Sequence, residues 1–215
     1  MVSVRLGLIG RGYWGKVYAG VLDELGVDFR HMGRNWDCAA DGLIIASSTN
    51  SHYPIAYEAL ARGVPVLIEK PVAETSAQAR KLVELGGIAY AGHTRLFDPL
   101  WPEFRAYGTP SEVEAWAGGV NAGNPDAELN WRIHLAAMCL DLGFDPRKAR
   151  FHITEEKQPL RFVADGREFR DSRGALANLV TRFMASIKRG EDDNSGLRLG
   201  VRTLEYYEGI RDGLV

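Results

Sequence analysis

The sequence predicts an α/β protein with a doubly wound parallel sheet at its N-terminal end and a smaller α+β domain after it. In the first half, short apolar runs alternate with segments of helical periodicity, which is typical of parallel strands joined by helices. In the second half, the patterns are those of a mainly antiparallel sheet followed by amphipathic helices. We expect the boundary near His93, giving domains 1–93 and 94–215.

The elements of the first half follow from apolar spacing. A buried parallel strand is a short continuous apolar run, whereas a helix repeats apolar residues three or four positions apart. Strands are predicted at 4–9, 27–32, 43–46, 64–68 and 88–91, and helices at 17–25, 52–62 and 75–85. Only residues 34–41 join the second and third strands, fewer than such a crossover usually needs, so we expect a trimmed connection with Trp36 capping the sheet face.

The second half alternates apolar and polar residues in short segments. Strands are predicted at 111–117, 149–155, 160–164 and 167–171, and helices at 128–142, 176–187 and 197–214. Asp165-Gly166 is a strong two-residue hairpin signal between two of these strands. A small open sheet leaves an apolar face and unpaired edges, so we expect a homodimer formed through the C-terminal sheet.

Composition excludes several classes of function. The net charge of −2 gives no strong attraction to nucleic acid or to anionic membranes. The sequence contains no apolar run long enough for a spanning helix and no cluster of metal-ligand residues. Cys38 and Cys139 lie far apart without CxxC spacing, which favours reduced thiols in a cytoplasmic protein.

A glycine-rich turn follows the first strand and opens the first helix. Residues 10–15 read Gly10-Arg-Gly12-Tyr13-Trp14-Gly15, the GxGxxG pattern. The first glycine permits a tight turn, the second lets the backbone approach a pyrophosphate, and the third allows close packing of helix on strand. The helix N-terminus then offers free N–H groups to the phosphates. This context predicts a Rossmann domain that binds NAD(P); the alternative is a chance glycine turn.

The end of the second strand bears on the choice of cofactor. An acidic residue that binds the ribose hydroxyls of NAD is expected about 20 positions after the glycine turn. The sequence instead reads Met32-Gly33-Arg34, and an arginine there suits a 2′-phosphate. NADP is therefore favoured over NAD. The alternative is that Arg34 is a solvated residue of the shortened connection.

Three further turns carry a family resemblance. The third strand runs into Ser47-Ser48-Thr49-Asn-Ser-His52, the fourth into Glu69-Lys70-Pro71, and the fifth into Gly92-His93-Thr94. With the glycine turn, in this order and spacing, the set resembles the Gfo/Idh/MocA oxidoreductase family. The similarity continues more weakly to the helix that holds Asn130 and His134. A thinner likeness to members acting on nucleotide-linked sugars comes from the segment after Gly92.

The resemblance implies roles for these residues. Lys70 would lie near the nicotinamide and the substrate hydroxyl, with Glu69 as its ion-pair partner and Pro71 as a cis proline. A lysine at the carboxyl end of a parallel strand does point into the ligand crevice. His134 would be a second group for proton transfer, and a satisfied core histidine is the alternative. The remaining residues implied to line the site are Ser47, Ser48, Thr49 and His52 toward the cofactor, and His93 and Arg95 toward the substrate.

Two departures separate the sequence from its relatives. Asn130 and Leu135 stand where relatives tend to have acidic residues, and residues 94–215 are fewer than the family's usual second domain. The family implies an oxidoreductase that transfers a hydride between NAD(P) and a secondary alcohol or ketone of a sugar, cyclitol or nucleotide-sugar. The departures keep an alternative open, a catalytically impaired dinucleotide-binding protein of the same family with a regulatory or structural role.

Overall fold

The structure is a computed structural model that describes residues 4–33, 36, 39–119 and 127–213. The chain divides into two compact units, which we call the first and second units. The first unit comprises Met1–Gly92 and Leu176–Val201, and the second comprises His93–Ala175 and Arg202–Val215. The first unit therefore includes a C-terminal segment that the sequence placed in its second domain. As folding domains, 1–93 and 94–215 stay a prediction.

The elements follow the sequence-based pattern closely. The strands are β1 (Leu6–Ile9), β2 (Phe29–Met32), β3 (Gly42–Ile45), β4 (Val66–Ile68), β5 (Ala89–Ala91), β6 (Val113–Gly118), β7 (Arg150–Thr154), β8 (Gln158–Ala164) and β9 (Arg167–Phe169). The helices are α1 (Tyr13–Glu24), α2 (Thr49–Ala61), α3 (Ser76–Leu85), α4 (Trp101–Arg105), α5 (Ala127–Asp141), α6 (Ala175–Arg189) and α7 (Ser195–Arg211).

The first unit is built on a five-stranded parallel sheet in the order β2-β1-β3-β4-β5. Strands β1, β3, β4 and β5 are buried along their whole length, which explains their continuous apolar sequences. The order reverses between β1 and β3, because the chain leaves β1 toward β2 and then returns to the other side. The predicted doubly wound sheet is confirmed.

The C-terminal segment of the first unit packs on this sheet. Phe183 and Ile187 of α6 lie against Gly42, where a Cβ atom would sit 2.7 Å from the Ile187 side chain. The backbone N–H of Ala89 donates to the carbonyl of Asp193 at 2.8 Å, so this segment also covers the edge of β5. Burial of its apolar face on the sheet accounts for its place in the first unit.

The trimmed connection between β2 and β3 holds a buried tryptophan. Trp36 is 6% exposed, and the Arg62 guanidinium lies 5.3 Å from the centre of its ring. Arg34 and Cys38, which also belong to this connection, lie outside the described residues. Cys139 is a buried free thiol whose pKa is raised by burial, as expected of an inert core cysteine.

The second unit contains a four-stranded sheet in the order β7-β6-β8-β9. β8 pairs antiparallel with both of its neighbours, whereas β6 and β7 pair in parallel, so the sheet is mixed but mainly antiparallel. Asp165 and Gly166 both have positive φ, as the predicted hairpin turn requires. One face of the sheet packs into a core with α5, Trp101 and Phe104.

The opposite face of this sheet is charged, so the expectation of an apolar face is wrong. Glu114 bonds to Arg150 and His152, and Glu168 bonds to Arg161 and Arg170. Trp116 lies between His152, stacked at 5.0 Å, and the Arg161 guanidinium at 4.3 Å. The alternate residues of these strands are charged, so ion pairs cover the outward face. The homodimer stays a prediction.

Two classes of site can be checked on the described residues. None of the helices in that part of the chain combines the length and the apolar composition that crossing a membrane requires. Within the same residues, no three His, Cys, Asp or Glu side chains group together as metal ligands would.

Candidate functional site

The glycine turn is packed against the neighbouring strand end. Gly10 has φ of +121°, and a Cβ atom there would collide with the Ala46 carbonyl and lie 2.8 Å from the Ser47 nitrogen. A Cβ at Gly15 would collide with the Gly10 carbonyl. These two glycines therefore permit β1, α1 and the end of β3 to approach closely. This contact lies where the strand order reverses, the usual ligand crevice of such sheets.

Gly12 differs from the other two glycines because it faces open space. Gly12 is the N-cap of α1, and no side chain of the described residues bonds there as a cap. A Cβ atom added to Gly12 would meet none of the described residues beyond its chain neighbours and its own helix within 4 Å. The first turn of α1 reads Tyr13-Trp14-Gly15-Lys16 and carries no acidic residue. Tyr13 is 48% exposed, and its ring meets that of Trp14 edge-to-face. Unobstructed helix N–H groups with no anion beside them fit a diphosphate.

In the turn after β3, the serine hydroxyl groups contact neighbouring residues of the same segment. The Ser47 hydroxyl lies 2.6 Å from that of Ser51, and the Ser48 hydroxyl donates to the side-chain oxygen of Asn50 at 2.8 Å. Ser48 is the N-cap of α2 and Thr49 is its first residue. These contacts fix the turn as a rigid wall beside the glycine turn.

His52 joins the turns that follow β3 and β4. Its Nδ1 lies 2.8 Å from the Pro71 carbonyl, and its Nε2 lies 3.0 Å from the Ser47 carbonyl. The side chain is 1% exposed, and this burial lowers the pKa of His52, although both carbonyls favour the charged form. The neutral ring can donate one hydrogen bond, so His52 acts as a spacer between the two turns.

Glu69, Lys70 and Pro71 form a buried turn at the carboxyl end of β4. The Lys70–Pro71 peptide bond is cis, which confirms that expectation. Glu69 is 3% exposed and Lys70 is 6% exposed. Burial raises the pKa of Glu69, while the nearby charge of Lys70 and hydrogen bonds from Tyr18 and the Lys70 backbone oppose the rise. A lysine buried beside a carboxylate can serve in proton transfer.

The contacts of the first unit close into a ring around the ends of β1, β3 and β4. Tyr18 of α1 bonds to Glu69, the residue next to Lys70. The His52 ring contacts the carbonyls of both Pro71 and Ser47, and Ser47 packs on Gly10. The structure thus brings the predicted residues of the first unit together at one sheet edge, apart from Arg34, which lies outside the described residues. We call this set the strand-end ring.

The second unit holds the remaining candidates. Asn130 and His134 lie one turn apart on α5 and are 7% and 6% exposed. The Trp131 ring lies 5.9 Å from the His134 ring, and the Arg95 guanidinium lies 5.5 Å from the Trp131 ring. Arg95 also forms an ion pair with Asp171, and each side chain is 24% exposed. His93, at 3% exposed, immediately precedes the 3₁₀ turn Thr94–Phe97 that carries Arg95.

Two members of this second group were not predicted from the sequence. Trp131 lies three positions before His134, so helical spacing was a usable signal for it. Asp171 contacts Arg95 across 76 positions of the chain, and no local pattern reveals such a contact.

Comparison with known proteins gives consistent matches. The family described as "Oxidoreductase family, NAD-binding Rossmann fold" (GFO_IDH_MocA) matches residues 28–86. The rhizopine catabolism protein MocA of Rhizobium meliloti is 29% identical over 109 residues, 40% of this chain and 34% of that protein. Inositol 2-dehydrogenase 2 of Saccharopolyspora erythraea is 35% identical over 74 residues, 32% of this chain and 22% of that protein.

A solved structure extends the likeness of fold. UDP-N-acetylglucosamine 3-dehydrogenase GnnA from Acidithiobacillus ferrooxidans matches with a TM-score of 0.75 and 17% identity, covering 96% of each chain. Over residues 28–86 the chain matches the Gfo/Idh/MocA oxidoreductase family, and over most of its length it shares the fold of that solved structure. In aligned sequence, the chain spans less than half the length of the curated relatives that it matches.

Proposed function

We propose that this protein is a Gfo/Idh/MocA-type NAD(P)-dependent oxidoreductase acting on the secondary alcohol or ketone of a sugar, cyclitol or nucleotide-linked sugar. The observation that carries the proposal is the strand-end ring, which holds the buried Lys70 at the same sheet edge as the open glycine turn. Relatives named as an inositol dehydrogenase and a UDP-N-acetylglucosamine dehydrogenase support a polyhydroxylated substrate.

The residues present suit a pyridine dinucleotide. The N–H groups at the start of α1 would bind the diphosphate, with Gly12 leaving room for it and Ser47 forming the adjacent wall. β2 ends at Met32, and Gly33 follows without an acidic side chain, so NADP is the favoured form. When bound, the nicotinamide supplies the hydride chemistry, accepting or donating two electrons with one proton equivalent.

Proton transfer falls to Lys70 and His134. In the direction of oxidation, one of them takes the hydroxyl proton of the substrate as its carbon loses a hydride, and the reverse holds for reduction. Arg95 and His93 would orient the substrate. Because Arg95 is already paired with Asp171, it offers hydrogen bonds with little net charge, which suits hydroxyl groups.

A second candidate function rests on Asn130. This buried amide lies one helical turn from His134 and can orient the ring, but it carries neither charge nor a transferable proton. Loss of a general acid or base typically costs ~10²–10⁴-fold in rate. A dinucleotide-binding protein with impaired catalysis and a regulatory or structural role is therefore the alternative.

Calorimetric titration of NAD and NADP tests the cofactor claim. Gly12→Ala adds a methyl group where only the diphosphate would meet it, so we expect affinity to fall about tenfold or more, with an unchanged denaturation midpoint. Gly20→Ala is the matched control, because Gly20 is exposed on the same helix and also has open space. Absence of any binding to the wild type contradicts the proposal.

Turnover separates the two candidate functions. Wild-type protein is mixed with each cofactor and a panel of sugars, cyclitols and nucleotide-linked sugars, and nicotinamide absorbance is followed. Turnover with at least one substrate supports the oxidoreductase. Tight cofactor binding without turnover favours the impaired alternative.

Homodimerisation through the outward face of β6–β9 and a cytoplasmic location complete the proposal. Because that face is covered by ion pairs, such a dimer would weaken as salt is raised. Sedimentation that shows a monomer at both low and high salt contradicts it.

A further inference from the structure

A buried pair of titratable side chains adjoins Lys70. Tyr18 is completely buried on α1, and its hydroxyl donates to Oε1 of Glu69 at 2.8 Å. The other carboxyl oxygen, Oε2, accepts from the backbone N–H of Lys70 at 3.1 Å. Each oxygen of this carboxyl group therefore has a donor, one from the helix that follows the glycine turn and one from Lys70 itself.

The chain after β5 passes close to the carboxyl group of Glu69. A Cβ atom at Gly92, which follows β5, would lie 2.8 Å from Oε1 and 3.1 Å from the Cα of Glu69. The backbone N–H of Gly92 also donates to the Ile68 carbonyl at 2.7 Å, which fixes that approach. Glu69 is thus held between α1 on one side and the end of β5 on the other.

We infer that Tyr18, acting through Glu69, is a positioning residue for Lys70. The inference rests on the proposed function, which gives Lys70 its role in proton transfer. The Tyr18 hydroxyl holds the Glu69 carboxylate, and that carboxylate holds the main chain of Lys70 and places a negative charge beside its ammonium group. Since α1 also presents its N-terminus to the cofactor, one helix then sets the position of both the diphosphate and the lysine.

The electrostatics agree with this geometry. The titratable groups that act on Glu69 are Tyr18 from α1 and Lys70 from its own turn, while Gly92, which follows β5, is uncharged. Burial, followed by the charge of Glu69, raises the pKa of Tyr18, so its hydroxyl stays protonated and donates. Its hydrogen bond favours the ionised carboxylate against the burial that raises the pKa of Glu69.

Tyr18→Phe tests the inference, with Tyr90→Phe as the matched control. Tyr90 is a buried tyrosine of the same unit whose hydroxyl donates to Asp193 at 2.9 Å and lies 2.9 Å from Ser186. Although burial opposes it, hydrogen bonds from Ser195 and Tyr90 lower the pKa of Asp193. Each substitution therefore removes one hydroxyl group that donates to a carboxylate, but only the carboxylate of Glu69 adjoins Lys70.

The first measurement needs no turnover. Without Tyr18, the buried carboxylate is costly when ionised and less costly when protonated, so the denaturation midpoint of Tyr18→Phe should drop more at about pH 8 than at about pH 5. The midpoint of Tyr90→Phe should drop equally at both. In the double variant Tyr18→Phe/Lys70→Met, the drop in the denaturation midpoint should differ from the sum of the drops in the two single variants. A loss that is equal at both pH values, or additive with Lys70→Met, overturns the inference.

The second measurement is kinetic. We expect Tyr18→Phe to lower kcat about tenfold, with KM changed less than about twofold, and to move the acidic limb of the pH–rate profile to higher pH. Tyr90→Phe should leave both unchanged. An unshifted limb contradicts the inference. If wild-type protein shows no turnover, the proposed function fails, and the denaturation experiment alone decides whether Tyr18 is linked to Lys70.

Glu69→Gln serves if Tyr18→Phe does not fold. Glutamine keeps the size of the side chain and an oxygen that accepts from Tyr18, but it removes the charge. A loss of kcat equal to that expected for Tyr18→Phe, together with a pH–rate profile that lacks the acidic limb, supports the inference. Wild-type kcat with an unchanged profile in this variant overturns it.

Discussion

The two units hold their candidate residues by different means. In the first unit, backbone groups of three strand-end turns contact one another, and His52 and Glu69 bond to main-chain atoms. In the second unit, the side chains of the candidates Arg95, Trp131 and His134 contact one another. A site built on main-chain contacts restricts the sequence strongly, because each residue type serves a turn. A site built on one helix face tolerates replacement.

The two units also differ in how they bury charged side chains. The first unit buries the charged pair Glu69 and Lys70 at 3% and 6% exposure. The second unit leaves its charged pair, Arg95 and Asp171, about a quarter exposed, and its buried candidates are His93, Asn130 and His134. Because buried charges respond most strongly to loss of a partner, substitutions in the strand-end ring should have the larger effects.

The largest effect is expected for Lys70→Met. Removing the ammonium group while keeping the length of the side chain should lower kcat by ~10²–10⁴-fold, because a proton-transfer group is lost. Steady-state kinetics with the best substrate of the panel measures it, and cofactor titration should show nearly unchanged affinity. Lys81→Met, on the exposed side of α3, is the control with the same chemistry. Comparable kcat values for the two variants would remove Lys70 from the mechanism.

Asn130→Asp tests the second unit by adding a charged group, whereas Lys70→Met removes one. A carboxylate one turn before His134 would favour the protonated ring, so we expect kcat to rise about tenfold if catalysis is limited by the missing acid. Asn130→Leu, of similar volume, should lower kcat because it cannot hydrogen-bond. A fall in kcat on introducing the aspartate would mean that this chemistry requires the amide, and the impaired alternative would lose its support.

Much of the fold could be predicted because hydrophobic burial dictates it. β1, β3, β4 and β5 are buried on both faces, so their sequences are continuous apolar runs that one can read directly. The 3₁₀ turn Thr94–Phe97 and α4 were missed, because segments of four and five residues are too short to show a period. The parallel pairing of β6 with β7 was missed as well, since the sequence of a strand does not indicate whether its neighbour runs parallel or antiparallel to it.

The candidate residues of the two units differ in how far the sequence predicts them. The motif residues of the first unit are predictable because the carboxyl ends of parallel strands meet at one edge of a sheet. Tyr18 shows where that reasoning stops, since apolar spacing places it in the helix but says nothing of its bond to Glu69. Asp171 and the charged outward face of the second sheet depend on side-chain pairing between distant segments, which one sequence does not reveal.

Asp171→Asn should have a smaller effect than either substitution above. The ion pair with Arg95 is about a quarter exposed on each side, so its loss should lower the free energy of unfolding by about 1 kcal/mol or less. If Arg95 orients the substrate, KM should rise while kcat holds. Urea denaturation and kinetics measure the two effects. Glu191→Gln, which breaks the exposed pair with Arg189, is the control and should change neither quantity.

The smallest effect is a change in how stability depends on pH, and it concerns His52. Because burial lowers the pKa of His52, the unfolded chain takes up a proton near the ordinary value of 6.5 before the folded protein does. The stability contributed by the neutral ring is therefore present above that pH and is lost as pH falls below it, by at most about 1.4 kcal/mol per pH unit.

His52→Gln removes this titration while keeping a donor and an acceptor between the two turns. The free energy of unfolding of wild type should thus decrease more than that of the variant as the pH is lowered from about 7 to about 5.5. Glu69, whose pKa burial raises, titrates with the opposite sign, so the difference between the two proteins is the informative quantity. His31→Gln, exposed on the edge strand β2, should keep the wild-type slope. Equal slopes in wild type and His52→Gln would contradict the prediction, because they would mean that folding does not change the protonation of the ring. If the stability of wild type instead rises relative to that of the variant as the pH falls, the ring is charged at neutral pH and bonds both carbonyls. The strand-end ring would then contain a third buried charge, which would widen its difference from the second unit.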